Sequence, residues 1–373
     1  LNAEEEPENE DYPKDPEFKA EFGPRGVLDC VATITESSDV DPRFGPMGKQ
    51  ECKDTGPLTI ERMKTADEEF VARTMDFIDR AHKADKPFFA WLNPTRMHVW
   101  THLKDERRGV TGQGIYADGL VEHDDHVGQI LKQLDDLGIV DNTIVIWTTD
   151  NGAEVFSWPD GGMTPFAGEK NTNWEGGYRV PMMVRWPAKI KAGVISNEIV
   201  SMEDWVATVM AAVGEPDIKE KLLKGHKANG KTFKVHLDSY NLLPHLTGKE
   251  EKSPREEFLY WNDGGQLVGL RYQDWKMVFM EQREHGFNVW AEPMEVLRFP
   301  KIMNLRRDPF ERAHHESNFY HGWWINRFFL TVPTQVFVRE WIESFKEFPV
   351  RQKPAAFNLD RVLESMERAA SRN

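Results

Sequence analysis

The sequence predicts an α/β fold, with strands and helices alternating to build a doubly wound sheet and a smaller α+β subdomain closing the chain. Three observations carry this expectation. Apolar runs without alternation, at 87–92, 142–149 and 180–186, have the texture of strands buried on both faces of a sheet. Amphipathic segments of helical period lie between and after them. Beyond about residue 255 the texture changes to short alternating runs separated by turns.

Residues 1–58 are rich in Pro, Gly, Asp and Glu and have no sustained period, so they read as an irregular surface excursion. Asp41-Pro42-Arg43-Phe44-Gly45-Pro46 is turn-like throughout. From about Leu58 to Ala84 the pattern is helical. Phe70, Met75, Phe77, Ile78 and Ala81 fall near one face, and Asp67, Glu68 and Glu69 favour the positive end of the helix dipole. Pro87 to Leu92 follows as a buried strand. A helix from about Tyr116 to Leu137 carries Leu120, Val127, Ile130, Leu131 and Leu134 as its stripe, with Gly138 as a natural stop. Asn142 to Thr149 and Val180 to Trp186 are the next strands, and a helix over Glu203 to Val213 ends at Gly214. Further on, Phe258 to Trp261 and Leu267 to Phe279 suit an antiparallel sheet with turns at Asp263-Gly264-Gly265 and Gln273-Asp274. Thr334 to Lys346 and Leu359 to Ala370 read as helices. The expected division is a main α/β portion over 1–254 and a smaller subdomain over 255–373.

The bulk numbers exclude several classes. Apolar residues make up 39% and aromatics 11% of 373 residues, which is a globular composition. A formal charge of −15 argues against a nucleic-acid-binding surface, yet a local group of cations can still hold an anionic substrate. No apolar run approaches the roughly 20 residues that span a bilayer. Cys30 and Cys52 are not in a CxxC pair, which argues against a zinc cluster; two unrelated thiols is the favoured reading, and one disulfide across a long loop is the alternative. Leu1-Asn2-Ala3 leads into an acidic run without an initiator Met, so the start reads as internal.

Doubly wound sheets place ligands beyond the C-terminal ends of their strands. Asp150-Asn151-Gly152 follows one such end. A carboxylate and an amide carbonyl at consecutive positions offer two hard oxygens to Ca²⁺ or Mg²⁺, although Asp-Asn-Gly is also a common turn. Lys170 and Arg179 lie in the following loop, and Gly176-Gly177 allows close backbone approach; the plain alternative is a surface loop with ordinary charges. His98 lies past the first strand, where a His can donate a proton to a leaving oxygen or be bonded to backbone. Trp100, Trp158 and Trp174 can stack on a sugar or aryl ring, or can be packing residues.

Taken together, the strand ending in Asp150-Asn151-Gly152, Lys170, Trp174-Glu175-Gly176-Gly177-Tyr178-Arg179-Val180-Pro181 and the earlier His98 resemble the arylsulfatase-type sulfatases of the alkaline-phosphatase superfamily. Asp124-Asp125-His126-Val127-Gly128, Leu137 to Thr143, Ser201-Met202-Glu203-Asp204-Trp205 and Asn304-Leu305-Arg306-Arg307-Asp308-Pro309-Phe310-Glu311 extend the resemblance over most of 60–312. It implies an alkaline-phosphatase-like mixed sheet and hydrolysis of sulfate esters. In such an enzyme Asp150 and Asn151 supply two oxygens to calcium, with magnesium the other candidate. Lys170 binds the sulfate, His98 contacts it or protonates the leaving alcohol, His102 lines the substrate pocket, and Arg179 shapes the loop. The implied partner is a small-molecule or carbohydrate sulfate ester, and the implied location is periplasmic or secreted.

The family's nucleophile is a formylglycine made from Cys or Ser in a C/S-x-P-x-R motif. No such motif occurs here at a suitable place: Cys30 is followed by Val-Ala, Cys52 by Lys-Asp, and Ser253-Pro254-Arg255 has the wrong spacing. The family's N-terminal aspartate pair also has no counterpart. The chain is therefore expected to be the C-terminal two-thirds of a longer enzyme, inactive by itself, with the nucleophile and export signal upstream. The competing functions are a phosphoester hydrolase of the same superfamily and a catalytically inactive sulfatase-like binding protein.

Overall fold

The structure, a computed structural model, describes residues 8–22, 26–38, 40–41, 45–99 and 101–350. The chain divides into two compact units. One runs to Gly138 and includes Ser157–Gly161; the other comprises Ile139–Phe156 and Gly162 onward. The change of texture expected near residue 255 falls within the second unit.

In the first unit, β1 (Leu28–Ala32) pairs antiparallel with β2 (Gln50–Asp54), and Cys30 stands directly opposite Cys52. Their Cα atoms are 4.1 Å apart and the two sulfurs are bonded. The two cysteines are thus not unrelated thiols, because cross-strand register brings side chains that are distant in sequence within bonding reach. A stretch expected to be irregular holds a stapled hairpin, and a crosslink over a loop of this size stabilises by about 3 kcal/mol, chiefly by restricting the unfolded chain.

The helical pattern after residue 58 breaks once. Thr59 caps a short helix over Ile60–Met63, and α1 then runs over Ala66–Lys83. Ala66, Val71 and Ile78 are buried, whereas Phe77, expected on the apolar face, is exposed. Asp67 is not a surface charge at the helix start but is buried, with its carboxylate accepting from the backbone N–H groups of Thr95 at 2.7 Å and Arg96 at 3.1 Å. The second long helix, α2 (Ile115–Asp136), ends as expected at Gly138, which has φ +67°. Leu134 is buried, but so are Glu122 and His126, while Leu120 is exposed. The face covered is therefore partly polar, and it is satisfied by charge: Arg96 donates to Glu122 at 2.9 Å and stands 3.6 Å from Asp67.

The run 87–92 differs from expectation. It has no sheet pairing among the described residues, and Phe89 and Trp91 are 70% and 79% exposed. An apolar run without a hydrogen-bonded neighbour does not become a strand, however strong its β-propensity, because packing against neighbours is what that propensity measures.

In the second unit, β3 (Val145–Thr148) and β4 (Met182–Arg185) pair antiparallel, with α3 (Glu175–Tyr178) before β4. Their half-burial and pairing depart from the doubly buried, parallel arrangement expected, and no parallel pair occurs among the described residues. After α4 (Asp204–Ala212) comes an antiparallel sheet in the order β8-β7-β6-β5, formed by β5 (Glu257–Trp261), β6 (Leu267–Tyr272), β7 (Trp275–Glu281) and β8 (Glu295–Asn304). The expected turn at Gln273-Asp274 joins β6 to β7, and Gln273 takes φ +50°. Tyr260, Val268, Leu270, Val278 and Ile302 make the sheet's buried core. The helix expected over 334–346 spans Thr331–Glu347; the one expected over 359–370 lies outside the described residues. No described helix is long and apolar enough to cross a membrane.

Candidate active site

The site is built where β3 ends. Thr148 Oγ1 donates to the Pro181 carbonyl at 3.0 Å, which ties the end of β3 to the approach to β4. The chain then turns away through Asp150-Asn151-Gly152. Gly152 N–H donates to Gly177 O at 2.9 Å, and a Cβ added to Gly152 would lie 1.7 Å from Gly176 O. Gly176 is equally confined, since its own Cβ would lie 2.5 Å from the carbonyls of Ala167 and Gly168. Two sequence motifs that look independent, Asp-Asn-Gly and Glu-Gly-Gly, are therefore one interlocked piece of backbone. Gly152 is present because a carbonyl of the Glu-Gly-Gly segment occupies the space of a side chain, and Gly176 because the carbonyls of Ala167 and Gly168 do.

Lys170 joins the same piece: its N–H donates to Ala153 O at 3.1 Å. Its ammonium stands 3.4 Å from Glu154 Oε1 and 5.5 Å from the centroid of the Trp290 ring, and its side chain is 18% exposed. Lys170 is thus a partly buried cation held from two sides, not an ordinary surface charge. The structure brings Asp150, Asn151 and Lys170 into one loop cluster. Arg179 closes the Glu-Gly-Gly turn, donating through its N–H to Glu175 O at 2.7 Å and laying its guanidinium 4.6 Å above the Phe166 ring.

Whether this cluster fits a divalent cation depends on its oxygens. Asp150 is exposed, and its described side-chain contact is Thr149 Oγ1 at 3.4 Å. Asn151 Nδ2 donates to Gly152 O at 2.8 Å, which leaves the amide oxygen, on the other arm of the group, for an acceptor role. Two hard oxygens at adjacent positions fit calcium or magnesium as part of a shell; six to eight are needed for calcium. No group of three or more His, Cys, Asp or Glu is placed to complete one among the described residues.

His98 and His102 belong to the first unit. His98 closes a turn, its N–H donating to Thr95 O at 3.0 Å and its Nδ1 standing 3.1 Å from Val99 O. The turn is held from beneath by the buried carboxylate of Asp67 and by Arg96, itself fixed to Glu122. Of the three tryptophans, Trp174 is buried against Val278 and Met303 and donates to Gln282 O at 3.3 Å, so it packs. Trp158 is exposed, and Trp100 lies outside the described residues.

Several residues that hold the site were not legible as such. Glu175 is buried; it accepts from Tyr260 Oη at 2.6 Å and from Lys276 Nζ at 3.0 Å. Lys276, fully buried on β7, stands 2.8 Å from Glu311, a charge contact outside hydrogen-bonding geometry. Glu311 in turn accepts from the Glu175 N–H at 2.7 Å. Burial pushes the Glu311 carboxyl up, Lys276 opposes that shift, and the neighbouring Glu175 adds to it. The last residue of Asn304-Leu305-Arg306-Arg307-Asp308-Pro309-Phe310-Glu311 thus fastens the Glu-Gly-Gly loop to the sheet. A second fastening lies below α4, where Arg255 grips buried Asp204 with two bonds of 2.8 and 2.7 Å. Glu175 and Glu311 were visible within their motifs; Arg255, outside any motif, and Lys276, one Lys in a strand, carried no such signal.

His314 stacks on Trp174, with centroids 5.1 Å apart at 18°, and neither ring nitrogen has a hydrogen-bond partner among the described residues. Burial, with Lys301 and His315 nearby, pushes its pKa from 6.5 down to about 4 against the pull of Glu281 and Asp308. The unfolded chain therefore takes up this proton first as pH falls. Stability from neutral His314 is full above pH 6.5 and is lost as pH falls toward about 4. Discounted for its partial exposure, the loss amounts to roughly 1–2 kcal/mol. His314→Gln is expected to flatten the fall of Tm over this pH window; an unchanged slope would contradict that assignment.

Comparison with known proteins agrees with these motifs. A family model described as Sulfatase matches residues 6–215. N-acetylgalactosamine-6-sulfatase of Canis lupus familiaris is 30% identical over 259 residues, covering 65% of this chain and 47% of that protein. Steryl-sulfatase of Homo sapiens is 31% identical over 215 residues, covering 54% of this chain and 34% of that protein. The PsFucS1 sulfatase of Pseudoalteromonas sp. superposes with a TM-score of 0.68 at 24% identity, over 81% of this chain and 57% of that one, a likeness of fold alone. The chain spans about half the length of the N-acetylgalactosamine-6-sulfatases it matches. With more than half of its residues matched by the family model, the chain belongs to the sulfatase family of the alkaline-phosphatase superfamily.

Proposed function

We propose that the chain is part of a sulfuric ester hydrolase, in which Lys170 binds the sulfuryl group of the ester. The observation that carries this reading is the cluster at the end of β3: a partly buried ammonium tied by backbone to two adjacent hard oxygens. Cleaving a sulfate ester builds charge on the leaving oxygen and gathers charge around sulfur. A fixed cation in a partly dry pocket stabilises that charge more than water does. Glu154, 3.4 Å away, holds the Lys170 ammonium in place until an anion arrives.

Asp150 and Asn151 would hold a calcium ion, or magnesium, whose chemistry is to polarise and orient the sulfuryl oxygens. The nucleophile is proposed to be a formylglycine supplied from outside residues 1–373. The roles proposed for His98, as proton donor to the leaving alcohol and contact to the sulfate, and for His102, as a pocket residue, rest on the family pattern. The alkaline-phosphatase-like doubly wound sheet is likewise proposed for the whole protein. The substrate class is a carbohydrate or small-molecule sulfate ester, as the names of the relatives indicate for those proteins. A periplasmic or secreted location fits the Cys30–Cys52 disulfide, because such bonds persist in oxidising compartments.

The test is turnover of an aryl sulfate against the matching aryl phosphate by the enzyme that carries the nucleophile. Preference for the sulfate is expected, and Lys170→Ala should lower kcat/KM by about 10²–10³. Preference for the phosphate, or indifference to Lys170→Ala, would overturn the reading. Residues 1–373 alone are expected to hydrolyse neither ester, and measured turnover by this chain in the absence of any longer form would count against the missing nucleophile.

A further inference from the structure

We propose that Trp290 is a specificity-determining residue whose indole takes the ring of an aryl or glycosyl group when Lys170 binds its sulfate. This deepens the reading of Lys170 as the sulfate-binding cation and rests on it. Trp290 lies on α5 (Asn288–Ala291), within the excursion between β7 and β8. That excursion is gripped by the very segment that carries Lys170. Glu169 accepts from Gly286 N–H at 2.8 Å, and Asn171, in the left-handed region at φ +64°, donates to Val289 O at 2.8 Å. Asn173 accepts from Gln282 N–H at 2.8 Å, and Gln282 donates onward to Glu292 O at 2.9 Å.

The consequence is a small helix that is rigid yet incompletely covered. Val289 is buried as its anchor, while the next residue, Trp290, is 42% exposed beside the Lys170 ammonium. A tryptophan needed for packing alone would be covered, as Trp174 is. A loose surface tryptophan would not sit on a turn clamped by buried carboxylate and amide side chains. Phe287, exposed and edge-on to Phe156 at 5.8 Å, extends the same apolar surface. A preorganised ring next to a cation suits a ligand with an anionic end and a flat apolar body, because little side-chain freedom is lost on binding.

Binding to the full chain can be measured by calorimetry with two probes, inorganic sulfate and 4-nitrophenyl sulfate, for the native protein and for Trp290→Ala, Trp290→Phe and Lys170→Ala. Thermal unfolding checks that each variant is folded. The expected result is tighter binding of the aryl sulfate than of sulfate, with Trp290→Ala weakening the aryl ester about two- to tenfold and leaving inorganic sulfate unchanged. Trp290→Phe should keep most of the preference. A preference that survives Trp290→Ala overturns the proposal while the Lys170 reading stands. Equal weakening of both probes also overturns it, because Trp290 would then act only by positioning Lys170. Sulfate binding that is absent, or indifferent to Lys170→Ala, removes the reading of Lys170 itself and the proposal with it.

Discussion

Lys276→Met is expected to destabilise the second unit by about 3–5 kcal/mol. Lys276 is fully buried and stands 3.0 Å from Glu175 and 2.8 Å from Glu311. Removing the cation leaves two carboxylates facing each other with, among the described residues, Arg271, 3.5 Å from Glu175 and partly exposed, to offset them. The side chain that replaces it fills similar volume, so the loss reports charge and not a cavity. Urea unfolding followed by tryptophan fluorescence measures it. Adding Glu311→Gln to Lys276→Met should recover part of the loss, since it removes one uncompensated charge and keeps a hydrogen-bond acceptor for the Glu175 N–H. A loss under 1 kcal/mol for Lys276→Met would show that the buried trio is not the fastening described.

Gly152→Ala has the second largest expected effect. The added methyl would lie 1.7 Å from Gly176 O, with no flexible side-chain end to yield. The backbone must move, and the Gly152–Gly177 hydrogen bond is lost with it. Overpacking and the lost bond together should amount to about 3–4 kcal/mol. Because Asp150, Asn151 and Lys170 hang on this contact, anion binding should fall by more than the global loss of stability explains. Equilibrium unfolding combined with sulfate binding separates the two, and an alanine variant that keeps native affinity would disprove the interlock.

How far the sequence could be read follows from what kind of information each feature needs. Helices 66–83 and 115–136 were legible because their period and stop signals are local. The turn at Gln273-Asp274 was legible for the same reason. The C-terminal antiparallel sheet was legible from its short alternating runs and turns, but the pairing of the earlier strands was not, because pairing is a property of two segments. The run 87–92 has strand composition and no partner among the described residues, and β3 finds β4 in the antiparallel sense. Cys30 and Cys52 could be matched only through register. At the site, Asp150, Asn151, Lys170 and the two glycines stood out because their motifs are compact. What supports them was hidden: Lys276 and Trp290 come from strands and loops far along the chain. In the first unit, Asp67 looked like a dipole-favoured surface acid and proved to be a buried backbone acceptor.

The most direct measurement is a crystal structure of the chain soaked with a non-hydrolysed aryl sulfate. If the cluster at the end of β3 is the sulfate site, a sulfate oxygen will lie within hydrogen-bonding distance of Lys170 Nζ, beside Asp150 and Asn151. A sulfate bound elsewhere, with Lys170 still paired to Glu154, would contradict the central claim.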